Sequence, residues 1–172
     1  MKVKLKKVDE KAQLPKKGKV GDLCYDVWAV SEEEVAPNVW RYGLGFKYEI
    51  ERGPIRFDTV FFGNGRDRNG VGNLDVFLDS KFSISIDFRP RSGIWKTGMV
   101  LCNSEGTLDE FYRGEAMAMF YHVMPNMPRY KVGDRVGQIK LGFALPAEFE
   151  FVDEINEDTE RGDSGFGSTG LK

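Results

Sequence analysis

The stretch that decides the fold class is Phe82-Ser83-Ile84-Ser85-Ile86-Asp87-Phe88-Arg89, in which every even position is apolar and every odd position is polar. A period of two is the pattern of a β-strand with one face on the core and one face in water. The same alternation recurs at residues 44–50 and 139–145, and further strand candidates lie at residues 23–30, 55–62, 116–124 and 148–152. We therefore predict an all-β barrel or sandwich rather than a βαβ fold.

Length, charge and cysteine content exclude several classes of protein. The chain has 172 residues, enough for one domain with a hydrophobic core, and its formal net charge of −2 gives no general attraction to nucleic acid or anionic membranes. Cys24 and Cys102 are too few for a disulfide scaffold, and they are expected to be buried thiols. Because no apolar run resembles a signal peptide or a spanning helix, we predict a cytoplasmic protein with no nucleic-acid or membrane partner.

The chain divides by composition into a core, an internal insertion and a tail. The core is expected to cover residues 1–152, and a flexible arm to cover residues 153–172. The arm begins with an acidic stretch and continues with small residues from residue 161 onward. Residues 51–81 contain a glycine-rich centre at 63–73, which is typical of a long hairpin.

A basic turn follows the strand predicted at residues 82–89 and has the sequence Arg89-Pro90-Arg91-Ser92-Gly93. Ser92 is a good N-cap, so a short helix is predicted over residues 93–97 and ends at Gly98. A guanidinium, a hydroxyl and the amides of a helix start would together suit an oxyanion. A plain basic turn with a helix cap explains the same residues equally well.

An acidic segment lies between Gly106 and Glu115, and it carries Asp109 and Glu110 close to Tyr112. It could present a general base beside an aromatic surface, although a solvated hairpin end has the same composition. The single histidine, His122, falls inside a strand pattern and is interpreted as structural. One histidine argues against a metal cluster and against several histidine-dependent mechanisms.

The C-terminal sequence Gly165-Phe166-Gly167-Ser168-Thr169-Gly170 has the spacing G-x-G-x-x-G. A dinucleotide fingerprint must come after a strand and open a helix, and here the chain ends two residues later, so that interpretation fails. Two interpretations stay open. The segment is a frayed tail, or Arg161, Phe166 and the intervening amides bind a phosphate and a base.

Taken in order, these segments resemble the trimeric dUTPase family. The first motif is similar to Cys24-Tyr25-Asp26-Val27-Trp28-Ala29, the second to Arg89 through Gly93, the third to Gly106 through Glu115, the fourth to Gly133-Asp134-Arg135-Val136-Gly137-Gln138-Ile139, and the fifth to Arg161 through Gly170. The resemblance implies a distorted jelly-roll or β-clip barrel with one short helix and an extended C-terminal arm. It also implies a homotrimer whose active sites lie between subunits.

The activity implied by the resemblance is hydrolysis of dUTP to dUMP and pyrophosphate, which limits uracil incorporation into DNA and supplies dUMP for dTMP synthesis. Asp109 would activate the water that attacks the α-phosphorus. Tyr112 would pack against the deoxyribose. Asn103 and the backbone of Gly106, Thr107 and Leu108 would recognise the edge of uracil.

The resemblance also assigns groups to the phosphate chain and to a cofactor. Arg91, Ser92, Gly93 and Gln138 would hold the phosphates, and Asp26 would contact a Mg²⁺ ion through water. The arm would close over the site, with Arg161, Ser168 and Thr169 on the γ-phosphate and Phe166 over the base. Gly167 would also bind the substrate. Mg²⁺ often binds through substrate phosphates rather than a protein cage, which agrees with the lack of a dense carboxylate cluster.

Three positions depart from the family pattern. Phe111 stands where a second Asp is common, Ser164 replaces a usual glycine, and Gly137 replaces a usual alanine. The insertion at 51–81 has no counterpart in the resemblance, and we expect it to offer a surface for a protein partner. Two alternatives remain: a dCTP deaminase, alone or combined with dUTPase activity, and a regulatory binding module on a dUTPase scaffold.

Overall fold

The strands of the protein arise from the alternating pattern of its sequence. The computed structural model describes residues 1–52, 55–57, 74–76 and 82–159, with the backbone alone at 55–57 and 74–76. Within these residues the strands are β1 Lys2–Lys7, β2 Tyr25–Trp28, β3 Ser31–Ala36, β4 Val39–Gly43, β5 Phe46–Glu51, β6 Ile55–Phe57, β7 Leu74–Val76, β8 Ser83–Arg89, β9 Met99–Leu101, β10 Gly106–Asp109, β11 Met117–His122 and β12 Arg135–Ala144. A 3₁₀ helix, Ser92–Lys96, is the one helix of this part of the chain. The predicted all-β class is confirmed.

The strands form two larger and two smaller antiparallel sheets. The larger sheets have the strand orders β10-β8-β12-β2 and β3-β4-β11-β9, and the smaller ones pair β1 with β5 and β6 with β7. Most neighbours in the larger sheets are distant in sequence, so the connections cross between sheets as in a jelly roll. This arrangement brings segments from the whole length of the chain onto one sheet.

The hydrophobic core lies between the sheets. The even positions of β8 are buried there, together with two aromatic residues of other strands. They are Ile84, Ile86 and Phe88, packed with Tyr42 and Phe120. Phe120 contacts both Tyr42 and Phe88 edge to face. Because the even side chains of β8 enter the core, its odd side chains lie on the opposite face of the sheet.

One predicted strand is wrong. Residues 148–152 alternate apolar and charged side chains, yet they form no strand, and Phe149 and Phe151 are fully exposed. A strand needs a neighbouring strand to receive its backbone hydrogen bonds, and none of the described sheet edges extends to this segment. The segment therefore has the alternating pattern of a strand, but no described strand pairs with it.

Three other local predictions are refined. Ser92 is the first residue of the 3₁₀ helix rather than its cap, because Arg91 holds the capping position and no side chain caps the helix. Cys24 and Cys102 are half-buried and form no disulfide. Of the predicted strand 55–62, residues 55–57 are confirmed as β6, while 58–62 and the centre of the insertion at 63–73 lie outside the described residues.

A search of the described helices finds none long and apolar enough to cross a membrane.

Candidate active site

The sheet β10-β8-β12-β2 collects the first four sequence motifs. The first motif supplies β2, the fourth supplies β12, the third supplies β10, and the second continues from the end of β8. The central pair, β8 and β12, runs antiparallel from Gln138 opposite Arg89 to Ala144 opposite Ser83. Motifs separated by up to 109 residues in sequence therefore share one surface.

One row of polar residues crosses three strands of this sheet. Gln138 lies opposite Asp26 on one side and opposite Arg89 on the other. The side-chain amide of Gln138 also donates a hydrogen bond to the Pro90 carbonyl at 3.1 Å. This bond fixes the position of Gln138 against the basic turn at the end of β8.

Asp26 is the buried centre of a charge cluster. Its Oδ1 accepts a hydrogen bond from Arg91 Nε at 2.9 Å, and its Oδ2 accepts one from Arg135 at 3.1 Å. Both partners are guanidinium groups, which form the stable charge-assisted contacts that a buried carboxylate requires. The predicted phosphate ligand Arg91 is therefore held by the predicted metal-facing residue Asp26.

Ser92 and Gly93 begin the 3₁₀ helix beside this cluster. Ser92 is exposed, and a β-carbon built on Gly93 would meet no atom within 4 Å. The open space around Gly93 is suited to the close approach of a ligand to the backbone. The structure thus places the predicted phosphate ligands close together. They are Arg91, Ser92, Gly93 and Gln138.

Asp109, the predicted base, ends strand β10 and lies opposite Ser85 of β8. Its residue is exposed to solvent, while its carbonyl oxygen accepts hydrogen bonds from the Tyr48 hydroxyl at 2.5 Å and from the Tyr112 amide at 3.0 Å. Burial, and to a lesser extent the nearby charge of Asp109, raises the pKa of Tyr48 to about 12. Tyr48 is therefore a neutral donor that anchors the backbone of Asp109.

Tyr112 comes after Asp109 in a tight turn. Its hydroxyl donates to the Glu115 carbonyl at 3.1 Å, and its ring lies 6.5 Å from that of Tyr48. A β-carbon on Gly114 would approach the Tyr112 hydroxyl oxygen to 2.1 Å. The glycine two residues after Tyr112 is thus required for the ring to fold back over its own turn.

The predicted uracil-recognising segment lies at the opposite end of β10. Asn103 is exposed in the turn that precedes the strand, and its side-chain nitrogen lies 3.7 Å from the β-carbon position of Gly106. Gly106, Thr107 and Leu108 pair with Phe88, Asp87 and Ile86, respectively. Their backbone groups are held in register by β8.

The structure does not bring the predicted base to the predicted phosphate ligands within one chain. Asp109 lies opposite Ser85 and Gln138 lies opposite Arg89, on opposite sides of β8. The four residues from Ser85 to Arg89 correspond to roughly 13 Å along the strand. A general base acts within about 3 Å of the proton it takes, so these two groups of one chain cannot serve the same phosphorus.

Two residues that contact the site, Tyr48 and Arg52, were missed by reading the sequence. Two others, Glu110 and Arg135, lie in the third and fourth motifs but were given no individual role. Glu110 is the next residue after Asp109, and its side chain is buried. Arg52 donates hydrogen bonds to both of its carboxylate oxygens, each at 2.7 Å. No local pattern marks Arg52, because its partner lies 58 residues away.

No group of three or more histidine, cysteine, aspartate or glutamate residues in the described part of the chain could hold a metal ion. The predicted ligands of the fifth motif, Arg161, Phe166, Gly167, Ser168 and Thr169, lie outside the described residues.

Comparisons with known proteins agree with the predicted family. A family model for dUTPase matches residues 73–170, more than half of the chain. A deoxyuridine 5'-triphosphate nucleotidohydrolase from Nautilia profundicola is 28% identical over 99% of both chains. Another with the same name, from Ehrlichia canis, is 39% identical over 58% of this chain and 66% of its own length.

Solved structures show the same fold. The dUTPase of Staphylococcus bacteriophage 80alpha with dUPNHPP aligns over 99% of both chains, with a TM-score of 0.66 and 17% identity. The dUTPase from phage phi11 of S. aureus covers 91% of this chain and 99% of its own, with a TM-score of 0.59 and 14% identity. The fold is thus the β-rich fold of these two phage enzymes. The chain belongs to the dUTPase family.

Proposed function

We propose that this dUTP diphosphatase hydrolyses dUTP to dUMP and pyrophosphate with Asp109 as the general base, in active sites assembled between subunits. One observation carries the proposal: four motifs converge on one sheet, while Asp109 lies about four residues along β8 from the phosphate-facing row. The activity limits uracil incorporation into DNA and supplies dUMP for dTMP synthesis.

The chemical step assigned to Asp109 is a proton transfer. Its exposed carboxylate takes a proton from a water molecule while the water oxygen bonds to the α-phosphorus. The bond from that phosphorus to the oxygen bridging to the β-phosphate breaks, and pyrophosphate leaves with the electron pair. A positioned carboxylate contributes about 10²- to 10⁴-fold to such a step.

Recognition of the nucleoside is assigned to the two ends of β10. Tyr112, folded back over Gly114, presents a ring against which a deoxyribose packs and a 2′-hydroxyl is excluded. At the other end, Asn103 and the backbone of Gly106, Thr107 and Leu108 face the uracil edge. The pairing with β8 supports this role, because fixed amides and carbonyls discriminate between bases by shape.

The phosphate chain is assigned to Arg91, Ser92, Gly93 and Gln138. The donor set of this cluster also suits a Mg²⁺ ion that arrives with the triphosphate. It offers a single carboxylate, Asp26, whose oxygens are already paired with Arg91 and Arg135, so contact through water fits better than direct ligation. When bound, Mg²⁺ would neutralise charge on the phosphates and the departing pyrophosphate.

We propose a homotrimer because Asp109 and the phosphate ligands of one chain lie far apart. Since the base and the phosphate ligands of one chain are too far apart, each site needs Asp109 from one subunit and the Asp26 cluster from another.

The arm of residues 153–172 is proposed to divide into a spacer and a lid. Residues 153–158 are exposed and contain Asp153, Glu154, Glu157 and Asp158, which would repel a polyphosphate. Arg161, Ser168 and Thr169 are assigned to the γ-phosphate, Phe166 to the base, and Gly167 to the substrate without a specific group. Closure of such a segment removes water and strengthens the remaining electrostatic contacts.

The deciding experiment measures pyrophosphate release from dUTP, dCTP, dTTP and UTP, with Mg²⁺ and with EDTA. We expect release from dUTP alone, dependent on Mg²⁺. Chromatography of the dCTP reaction provides the second test. Uridine nucleotides formed from dCTP would contradict the proposal and favour a dCTP deaminase or a bifunctional enzyme.

A protein partner at the insertion 51–81 stays a prediction. Deletion of residues 63–73 tests it, since turnover should remain while capture of a partner is lost. Loss of turnover would instead assign the insertion to the active site.

A further inference from the structure

Strand β5 contacts the turn that carries Asp109 at two points. Tyr48 lies in β5, and its hydroxyl binds the Asp109 carbonyl. Arg52 lies directly after β5, four residues further on, so both side chains lie on the same side of the extended chain. The turn from Asp109 to Tyr112 is thereby supported from one strand.

The contact made by Arg52 is a bidentate ion pair. Its Nε and one terminal nitrogen bind the two carboxylate oxygens of Glu110, each at 2.7 Å. The Ile84 amide of β8 donates to the same carboxylate at 3.4 Å. Glu110 is only 8% exposed, so its carboxylate is fixed by β5 and β8 together.

The fixed residue is the covalent neighbour of Asp109. With Glu110 held by Arg52 and the Asp109 carbonyl held by Tyr48, the peptide unit between Asp109 and Glu110 is restrained at both ends. The backbone of Glu110 receives one more contact, since Arg113 donates to its carbonyl at 2.9 Å. These bonds surround the turn that orients both Asp109 and Tyr112.

We infer that Arg52 and Glu110 form a clamp that positions Asp109 and Tyr112 for hydrolysis. The inference rests on the proposed function of Asp109. Both are positioning residues, since the Glu110 carboxylate points into the protein and toward Arg52. A displacement of about 1 Å at a reacting group can cost about 100-fold in rate, which is the effect the clamp prevents.

A buried ion pair is seldom needed for stability alone, because apolar residues of similar volume often stabilise a protein as well or better. The pair of Arg52 and Glu110 is next to Asp109 in the chain, since Glu110 is its covalent neighbour. Its location directly behind the predicted base favours a role in geometry.

The test compares Arg52→Lys and Glu110→Gln with the wild-type enzyme in steady-state dUTP hydrolysis. Lys keeps the charge but loses the two-pronged contact, and Gln keeps the shape but loses the charge. We expect kcat to fall about 10-fold or more while KM changes less than about 3-fold. The reversed pair Arg52→Glu/Glu110→Arg should recover part of the loss.

The matched control is the pair Arg129 and Glu32, which is also partly buried and whose charged groups lie 3.1 Å apart. Glu32 belongs to β3 in the other large sheet, and Arg129 to the segment between β11 and β12. Arg129→Lys and Glu32→Gln should leave kcat unchanged. Near-ultraviolet circular dichroism establishes that each variant is folded. An unchanged kcat in folded Arg52→Lys and Glu110→Gln, or an equal loss in the control pair, would overturn the clamp.

A second readout does not depend on catalysis. Hydrogen exchange of the Tyr112 amide, which binds the Asp109 carbonyl, should speed up in Arg52→Lys and Glu110→Gln but not in the control variants. If wild-type protein fails to hydrolyse dUTP while this exchange difference appears, the proposed function fails, and Arg52 and Glu110 are shown to hold the turn without a role in hydrolysis. No change in exchange would reject the clamp whatever the activity.

Discussion

The ring of Phe88 occupies the space that a side chain on Gly137 would need. A β-carbon at Gly137 would lie 2.1 Å from Phe88 Cζ, closer than any real packing contact. The two residues lie on the neighbouring strands β8 and β12. The glycine found where alanine is usual in the family pattern is therefore explained by the aromatic residue beside it.

Gly137→Ala should destabilise the protein by about 1 to 3 kcal/mol, because the added methyl overpacks a filled site. Urea unfolding measures the change. The double variant Gly137→Ala/Phe88→Leu should lose less stability than the sum of the two single changes. Gly93→Ala, where a β-carbon meets nothing within 4 Å, is the control. Equal stability of Gly137→Ala and wild type would contradict this packing argument.

Asp109→Asn should lower kcat by about 100-fold or more and leave nucleotide affinity nearly unchanged, since the amide keeps the shape but cannot take a proton. Steady-state kinetics and titration with a non-hydrolysable dUTP analogue separate the two effects. Asp9→Asn, a substitution at a half-buried carboxylate 100 residues away in the sequence, serves as the control. Wild-type turnover in Asp109→Asn would remove this residue from the role of base.

Subunit mixing should restore activity between two inactive variants. Asp109→Asn lacks the base and Arg91→Ala lacks a phosphate ligand, and a site shared between neighbours can combine the intact half of each. Random mixing would leave about a quarter of the sites complete in a closed ring. The assay unfolds and refolds the variants separately and together. Activity no higher in the mixture than in the separate samples would argue for sites within single chains.

Acid should destabilise the protein through Glu110. The hydrogen bond from Arg52 is the main cause that holds the pKa of Glu110 below its reference value of 4.5. A lowered folded-state pKa gives stability that is present above the unfolded-state pKa and is lost as the pH falls through the folded-state pKa. Urea midpoints measured from neutral pH to about pH 3 should therefore fall more steeply in wild type than in Glu110→Gln. Parallel curves would show that Glu110 contributes nothing to this dependence.

Truncation after Glu160 should reduce dUTP turnover and leave the fold intact. The described residues before this point, 145–159, form no strand and are exposed, so we expect the core to be independent of the C-terminal end of the arm. Thermal unfolding monitored by circular dichroism tests the fold, and pyrophosphate release tests activity. An unfolded truncated protein would show that the arm belongs to the core.

The sequence predicted the strands whose side chains alternate against the core. β8 is the clearest case, because Ile84, Ile86 and Phe88 are buried as the pattern requires. β3 was missed because Ser31–Ala36 is rich in glutamate and has little strand propensity of its own. It forms by pairing with β4 across a turn in which Asn38 has a φ of 62°.

The candidate site was likewise predicted from the sequence only in part. Asp109, Tyr112 and Gly114 are close in sequence, and their roles were predicted from the resemblance of this segment to the third family motif. The supports of that group, Tyr48 and Arg52, come from a strand about 60 residues earlier and leave no local trace. Arg135 likewise joins Asp26 through strand pairing, which depends on the topology of the whole sheet.

The bond from Arg52 to the Phe82 carbonyl, at 2.8 Å, has a structural consequence of its own. It joins the residue directly after β5 to the residue that precedes β8, so the chain leaves and re-enters the core at one point. The entropy cost of closing a loop grows only slowly with its length once its ends are held together. Because this bond holds the two ends of the intervening segment together, we expect that a change in the length of that segment would not shift the register of β5 or β8.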